Sequence, residues 1–406
     1  MSFGPSTASV PAIETEVASP RDYIVVLGSP VGIPQVLAAL LLLMFLAQCL
    51  WLAMHMPMRE MELSQIRQGE TLILQHTVAP ESARSPVIPI LAALPLIGSG
   101  INVTADNPIL YAHPRSWRWR ARLPFIAVGV LLGASLWYVA RRLYGNAGGY
   151  IALALYASSP AIIIRAATIQ PAIVAAWGAF GAVFTAIAVA HTLYAPREVV
   201  LWNWKRIALL GLSIALAVGS QFALAAVALL AFGFMLYLVP ERRGAALAIM
   251  AASCAVAFIL LFAAYGFDVH ALAASVRGLR PADFTPQLLA RKLTYSLLAV
   301  FFMRMPGVLV ALAAALIAYA AWPRPRFFGV SAPLIAFALV ILLGITMPHL
   351  GGYNLFVAAL PFAFVFIAGV FADLLETRYS GLIFGILTGV LVAQGVFSVT
   401  GLMRIS

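Results

Sequence analysis

The residues of this chain that can do chemistry gather at the ends of its apolar runs. Residues 56–70 read MPMREMELSQIRQGE and hold three Glu and two Arg in a sequence that is only 10% charged. They follow directly on a greasy run from Gly32 to Trp51. In a helix, Glu60, Ser64 and Arg67 share a face through their i, i+4, i+7 spacing, and Arg59 and Glu62 stand close enough to pair. Charge at a helix end is also ordinary interfacial punctuation, so both readings stay open. A second cluster, HPRSWRWRAR (113–122), interleaves Arg115, Arg118, Arg120 and Arg122 with Trp117 and Trp119. Guanidinium binds phosphate through two parallel hydrogen bonds, which suits an anionic headgroup. The same composition is also an interfacial belt that anchors a helix end among headgroups. A third set, Arg277, Arg280, Arg291 and Lys292, lies in FDVHALAASVRGLRPADFTPQLLARKLTYS, and Arg304 follows inside FFMRMPG. An Arg within an apolar run is costly in lipid, so Arg304 must snorkel outward, pair, or line a polar cavity.

Other chemistries find no support in the sequence. No Asp or Glu falls mid-way along any long apolar run, where ion-coupled carriers keep a carboxylate. A phosphate-binding Walker loop, a Cys/His cluster of metal spacing and a Gly-Ser nucleophile elbow are all missing. Cys49 and Cys254 sit in apolar runs as small hydrophobes. The six histidines are scattered. Asn102-Val103-Thr104 matches a glycosylation acceptor, a short pattern that is common by chance.

These residues must be positioned by membrane helices. The chain has 406 residues, 63% of them hydrophobic, and a mean hydropathy of +0.99; soluble domains are nearer half apolar and a quarter charged. Residues 1–30 are rich in Ser, Pro and small residues and read as a disordered cytoplasmic tail before an uncleaved anchor. A span needs about 20 apolar residues. That length fits eleven stretches: 33–54, 121–140, 147–165, 171–192, 206–220, 221–239, 244–265, 296–320, 329–347, 354–373 and 380–402. Gly219-Ser220-Gln221 is the expected hairpin tip that divides 206–239. With the N-terminus inside, the short inner loops carry Arg141-Arg142, Arg197 to Arg206, Glu241-Arg242-Arg243, Arg324-Pro325-Arg326 and Arg378, as the positive-inside rule expects. The C-terminus is then outside, and large outer loops cover 55–120 and 266–295. Those outer loops are basic as well. The rule neither requires nor forbids this, so their cations call for another explanation.

The order of features resembles the GT-C-type glycosyltransferases of the protein O-mannosyltransferase and aminoarabinose-transferase kind, which use polyprenyl-phosphate sugars. The segment 122–160, RLPFIAVGVLLGASLWYVARRLYGNAGGYIALALYASSP, is similar to that family's second and third helices. SPVIPILAALPL (85–96) resembles its proline-led outer-loop segment, FFMRMPGVLVALAAALI (301–317) its Lys-x-Pro helix start with Arg304 in the Lys position, and LPFAFVFIAG (360–369) its late Pro-Phe helix. The resemblance covers about Leu37 to Val399. It implies an all-α, polytopic fold with residues 31–406 as one GT-C-like transmembrane domain, in the cytoplasmic (inner) membrane of a bacterium.

What the resemblance implies about chemistry is a transfer of sugar from a polyprenyl-phosphate donor to a lipid, glycan or protein acceptor on the outer face. Glu60 or Glu62 would serve as the base. Arg122, Arg291, Lys292 and Arg304 would hold the donor phosphate, with headgroup contacts from Arg115 and Arg118. Membrane lipids are expected partners and nucleic acid is not. No definite cofactor is implied, and a divalent metal is left open. Several positions depart from the family: its Asp-Glu after the first helix falls on Arg59-Glu60, and its Glu-His-Pro-Pro on Ala83-Arg84-Ser85-Pro86. Its acidic residue before the fourth helix falls on Gln170 or Pro171, its hairpin Lys on Gln221 and its last-loop Arg on Asn354. Ser406 comes just past the eleventh stretch, so the further helices and soluble domain of several such enzymes are not expected. A base must be positioned to take the acceptor's proton. These departures therefore raise the alternative of a catalytically degenerate scaffold, an accessory subunit in a larger membrane complex.

Overall fold

The computed structural model describes residues 32–75, 86–97, 116–194, 204–277, 303–321, 328–347 and 352–403, with Ala299 and Phe301. Among the described residues the regular structure is helical, with no strand. In chain order the helices are α1 (Ile33–His55), α2 (Glu60–Gln75), α3 (Val87–Ala93), α4 (Ser116–Ala157), α5 (Pro160–Ala166), α6 (Pro171–Thr192), α7 (Trp204–Ser220), α8 (Ala225–Leu238), α9 (Arg243–Ala264), α10 (Val269–Arg277), α11 (Pro306–Ala321), α12 (Phe328–Thr346), α13 (Gly352–Leu375) and α14 (Ser380–Met403). Among the described residues, seven helices are long and apolar enough to cross a membrane. The molecule is thus a multi-pass integral membrane protein, because an apolar helix satisfies its own backbone groups in lipid. The expected tail, residues 1–30, lies outside the described residues.

Helix α4 is one uninterrupted stretch in length only. It breaks at Tyr144 (φ −130°, ψ 15°) and Gly145 (φ 73°, ψ −172°), a pairing of angles open to glycine alone. Beyond the break the chain doubles back. Tyr156 donates to the Gly129 carbonyl at 2.6 Å, and Gly149 lies against Trp137 and Arg141. The two halves therefore run antiparallel, as the stretches 121–140 and 147–165 require. The split of 206–239 is also present: α7 ends at Ser220, Gln221 is extended (φ −148°, ψ 109°), and a 3-10 turn leads into α8.

Helix α13 forms the axis of the core. Leu355 through Ala372 are all buried, the signature of a helix apolar on every side. Phe362 meets Phe180 and Phe184, and Phe364 meets Tyr156 edge-on. Against it pack α4, α6, α11 and α12. Close crossings use glycine: Gly178 of α6 sits against the backbone of Ala217 in α7, and Gly69 of α2 against the Pro89 carbonyl in α3, the small-residue packing that membrane helices favour. Helix α14 stands at the periphery. Its inward residues include Leu387, Gln394, Ser398 and Leu402, and its apolar side chains mostly face outward.

Helix ends assigned to one side of the membrane by loop charge do come together. Arg242 donates to the Leu193 carbonyl, Tyr194 to the Leu238 carbonyl and Tyr144 to the Gly329 carbonyl, all from the set expected inside. At the other end, Gly219 lies against Val87 and Leu261. The region 55–120, expected as an outer loop, is not featureless, because α2 and α3 pack there on each other.

Candidate functional site: an arginine-lined pocket beside a buried ion pair

The stretch 56–70 folds as a turn followed by α2. Arg59 occupies the cap position, and its carbonyl accepts from Glu62 and Leu63 N–H at 2.9 and 3.2 Å. Glu62, three residues on, reaches back to accept the Arg59 N–H at 3.0 Å, which is the reciprocal half of a capping box. Glu60 and Glu62 both fall in the first turn, where carboxylates oppose the positive end of the helix dipole.

Glu62 does more than cap. It is buried at 1% exposure against Arg122 at 0%, with Arg122 Nη2 to Glu62 Oε2 at 2.8 Å and Nε to Oε1 at 3.1 Å. The Ile169 N–H, between α5 and α6, donates to the same carboxylate at 2.9 Å. Each carboxylate oxygen thus accepts two N–H bonds. Arg122 sends its remaining donors to the carbonyls of Ala53 and Met56, both at 2.9 Å, and Pro57 at 3.2 Å. These are carbonyls of the C-terminal turn of α1 and its exit, which no helical N–H completes. All five guanidinium protons are engaged. One ion pair therefore ties the end of α1, the start of α2, α4 and the α5–α6 connection into one knot.

Next to this knot is a small cleft of about 110 Å³, lined by Arg59, Arg165, Arg304, Thr168, Gln170 and Tyr353, with Pro160, Ala161 and Ile164 as its apolar wall. Among the described residues, no acidic side chain lines it. The Arg165 guanidinium stacks on the Tyr353 ring, 4.6 Å from its centroid; burial acts most strongly against its charge, the Tyr353 side chain favours it, and the charges of Arg59 and Arg304 act against it to a smaller degree. Like charges gathered this way repel, and an anion between them relieves that repulsion. Two features hold the cationic segments in place. Arg304 precedes α11, whose second residue Gly307 donates its N–H to Gln394 Oε1 at 2.9 Å, and Gln394 Nε2 donates to the Ser158 carbonyl at 3.4 Å. Arg59 is held through the backbone bond to Glu62.

The residues expected to act are distributed as follows. Glu62 and Arg122, assigned to a base and a phosphate clamp, meet each other and satisfy each other. Glu60 is exposed at the start of α2. Arg304 lines the cleft, which is the cavity alternative of the three open to it. Arg118 is half-buried in the first turn of α4. Arg115, Arg291 and Lys292 lie outside the described residues. Two cleft cations lie outside the expected phosphate-binding set: Arg165, within IIIRAATIQ, and Arg59, which the sequence reading pairs with Glu62 and places where the family has Asp. The rule that flagged Arg304, an Arg embedded in an apolar run, applies to Arg165 as well. Among the described residues, no group of three His, Cys, Asp or Glu is placed to hold a metal ion.

Fold and site together define a multi-span α-helical membrane protein with an arginine pocket at one end of its helices. No family model and no curated protein matches the chain. Among solved structures, the archaeal oligosaccharyltransferase AglB from Archaeoglobus fulgidus, in complex with an inhibitory peptide and a dolichol-phosphate, is similar over 89% of this chain and 56% of its own, with a TM-score of 0.48 and 14% identity. This chain thus spans little more than half of that protein, and similarity of that degree does not establish a shared fold.

Proposed function

We propose that this protein holds the phosphate of a lipid-linked substrate, of the polyprenyl-phosphate class, in the Arg59–Arg165–Arg304 pocket, and that it does so as a non-catalytic subunit of a membrane assembly. The observation that carries the proposal is the pairing of a cationic cleft, with no carboxylate among its described lining residues, with a neighbouring carboxylate, Glu62, whose two oxygens are filled by four N–H donors. A general base needs a free lone pair within reach of the proton it removes. Glu62 has none to offer without opening a buried ion pair. The scaffold is read as residues 31–406 crossing the membrane eleven times, with the N-terminus inside and the C-terminus outside. The meeting of like-assigned helix ends supports this arrangement.

The second reading keeps sugar transfer and moves the base to Glu60, because that residue is exposed beside Arg59, which lines the cleft. The acceptor hydroxyl would give its proton to Glu60 as its oxygen bonds the anomeric carbon. The bond from that carbon to phosphate oxygen would break, leaving free polyprenyl phosphate. One experiment separates the two readings. Purified protein in lipid nanodiscs is given a panel of polyprenyl phosphates, free and sugar-linked, and released lipid phosphate is measured alongside binding. Binding without release, together with stoichiometric co-purification with other subunits, is the expected result. Release that disappears in Glu60→Gln establishes the transferase, and an absence of binding removes both readings.

A further inference from the structure

We infer that the pocket selects an unesterified terminal phosphate, the headgroup of a lipid phosphomonoester, over the phosphodiester of a lipid-linked sugar. This rests on the reading of the cleft as a phosphate site and adds which phosphate it takes. Three guanidiniums line it, with no carboxylate among the described lining side chains. A phosphomonoester carries a charge of about −1.5 to −2 at neutral pH and three acceptor oxygens, so it can offer one oxygen to each of Arg59, Arg165 and Arg304. A phosphodiester carries a single charge and has two free oxygens, which leaves one guanidinium facing the others without a counter-charge.

Size points the same way. Pockets that enclose a drug-sized ligand run to about 300–1,000 Å³, whereas the described residues enclose about 110 Å³ here, a volume suited to a headgroup rather than to a headgroup and sugar together. The apolar wall of Pro160, Ala161 and Ile164 suits the first methylenes of a lipid chain leaving the phosphate. Tyr353, stacked on Arg165 and hydrogen-bonded to it, holds that guanidinium in the cleft.

The test is a competition in nanodiscs between a polyprenyl monophosphate, the sugar phosphodiester of the same polyprenol, phosphatidic acid and inorganic phosphate. The wild-type protein is compared with Arg165→Gln, Arg304→Gln and the charge-conserving Arg165→Lys. The monophosphate should bind tighter than the diester by about tenfold or more, the effect of one additional charge-assisted hydrogen bond. Arg165→Gln and Arg304→Gln should each reduce that ratio towards one, with Arg165→Lys restoring part of it. Phosphatidic acid matching the polyprenyl monophosphate supports selection of the headgroup. Equal affinity for monoester and diester overturns this inference and leaves the phosphate-site reading standing. Loss of both affinities overturns the two together. Inorganic phosphate competing as well as the lipid overturns the lipid as the source.

Discussion

Glu62 and Arg122 stand sixty positions apart in the chain, and their contact fills half of the carboxylate's hydrogen-bonding shell. Breaking a buried ion pair from one side leaves an uncompensated charge and costs about 3–5 kcal/mol. Glu62→Gln should therefore lower the thermal unfolding temperature of the detergent-solubilised protein by a large step, an effect on folding that binding assays alone would miss. Many buried ion pairs can be exchanged for apolar residues at little cost, and here that exchange should fail. In Glu62→Leu/Arg122→Met, the carbonyls of Ala53, Met56 and Pro57 and the N–H groups of Arg59 and Ile169 lose their partners, and each unmet buried backbone group costs about 1–3 kcal/mol. The double variant should remain clearly less stable than wild type; recovery to the wild-type unfolding temperature would show that the knot is only an ion pair. The free Arg side chains beside it have the opposite character. Their like charges oppose one another, so removing one should weaken anion binding without lowering stability comparably.

Two elements depend on single residues. The turn that makes α4 a hairpin needs Gly145 at φ 73° and ψ −172°, and a Cβ placed there would meet open space. Gly145→Ala should still destabilise by about 1–3 kcal/mol, all of it backbone strain, and an unchanged unfolding temperature would contradict the turn. Helix α14 has the reverse problem: its apolar residues mostly face out, and it joins the rest partly through Gln394. That side chain completes the N–H of Gly307 at the start of α11 and reaches the Ser158 carbonyl. Hydrogen bonds between membrane helices average about 0.6 kcal/mol and reach about 1.7, so Gln394→Leu should cost little stability. It should nevertheless weaken phosphate binding several-fold by loosening the segment that carries Arg304. A binding constant unchanged within error would limit Gln394 to helix packing.

At the scale of the molecule, the arrangement predicts which ends face which solvent. Asn146→Cys lies in the exposed turn of α4, and Gln75→Cys at the exposed end of α2. With the N-terminus inside, a membrane-impermeant maleimide applied to intact cells should label the second and spare the first. The reverse pattern would invert the topology and put the arginine pocket on the inner side. Cys49 is buried and Cys254 lies in α9, so each should be removed for the labelling background.

Much of the scaffold was legible because its signals are local. Hydrophobic length marked stretches that are helical among the described residues, Gly219-Ser220-Gln221 and the loop at Arg141-Arg142 marked two of the turns, and loop charge grouped helix ends that lie together. The lipid-exposed helices needed only composition, since a bilayer enforces helix on any apolar run of sufficient length. The site was legible in part. Glu60 and Glu62 in a charged segment, Arg122 opening an apolar run and Arg304 inside one were all visible as unusual residues. What the sequence could not supply was pairing. A local reading set Glu62 beside Arg59, three residues away, whereas tertiary packing gave its carboxylate to Arg122 and to backbone N–H groups, leaving the Arg59 side chain to the cleft. The physical reason is that a buried charge takes whichever partner closes its whole hydrogen-bonding shell, and that partner is chosen by how α1, α2, α4 and the α5–α6 connection meet. Chain position alone determined a membrane protein with cations in the loops on both sides; the packing of those four elements determined that Glu62 is enclosed by Arg122 and backbone N–H groups while the Arg59, Arg165 and Arg304 side chains line the cleft.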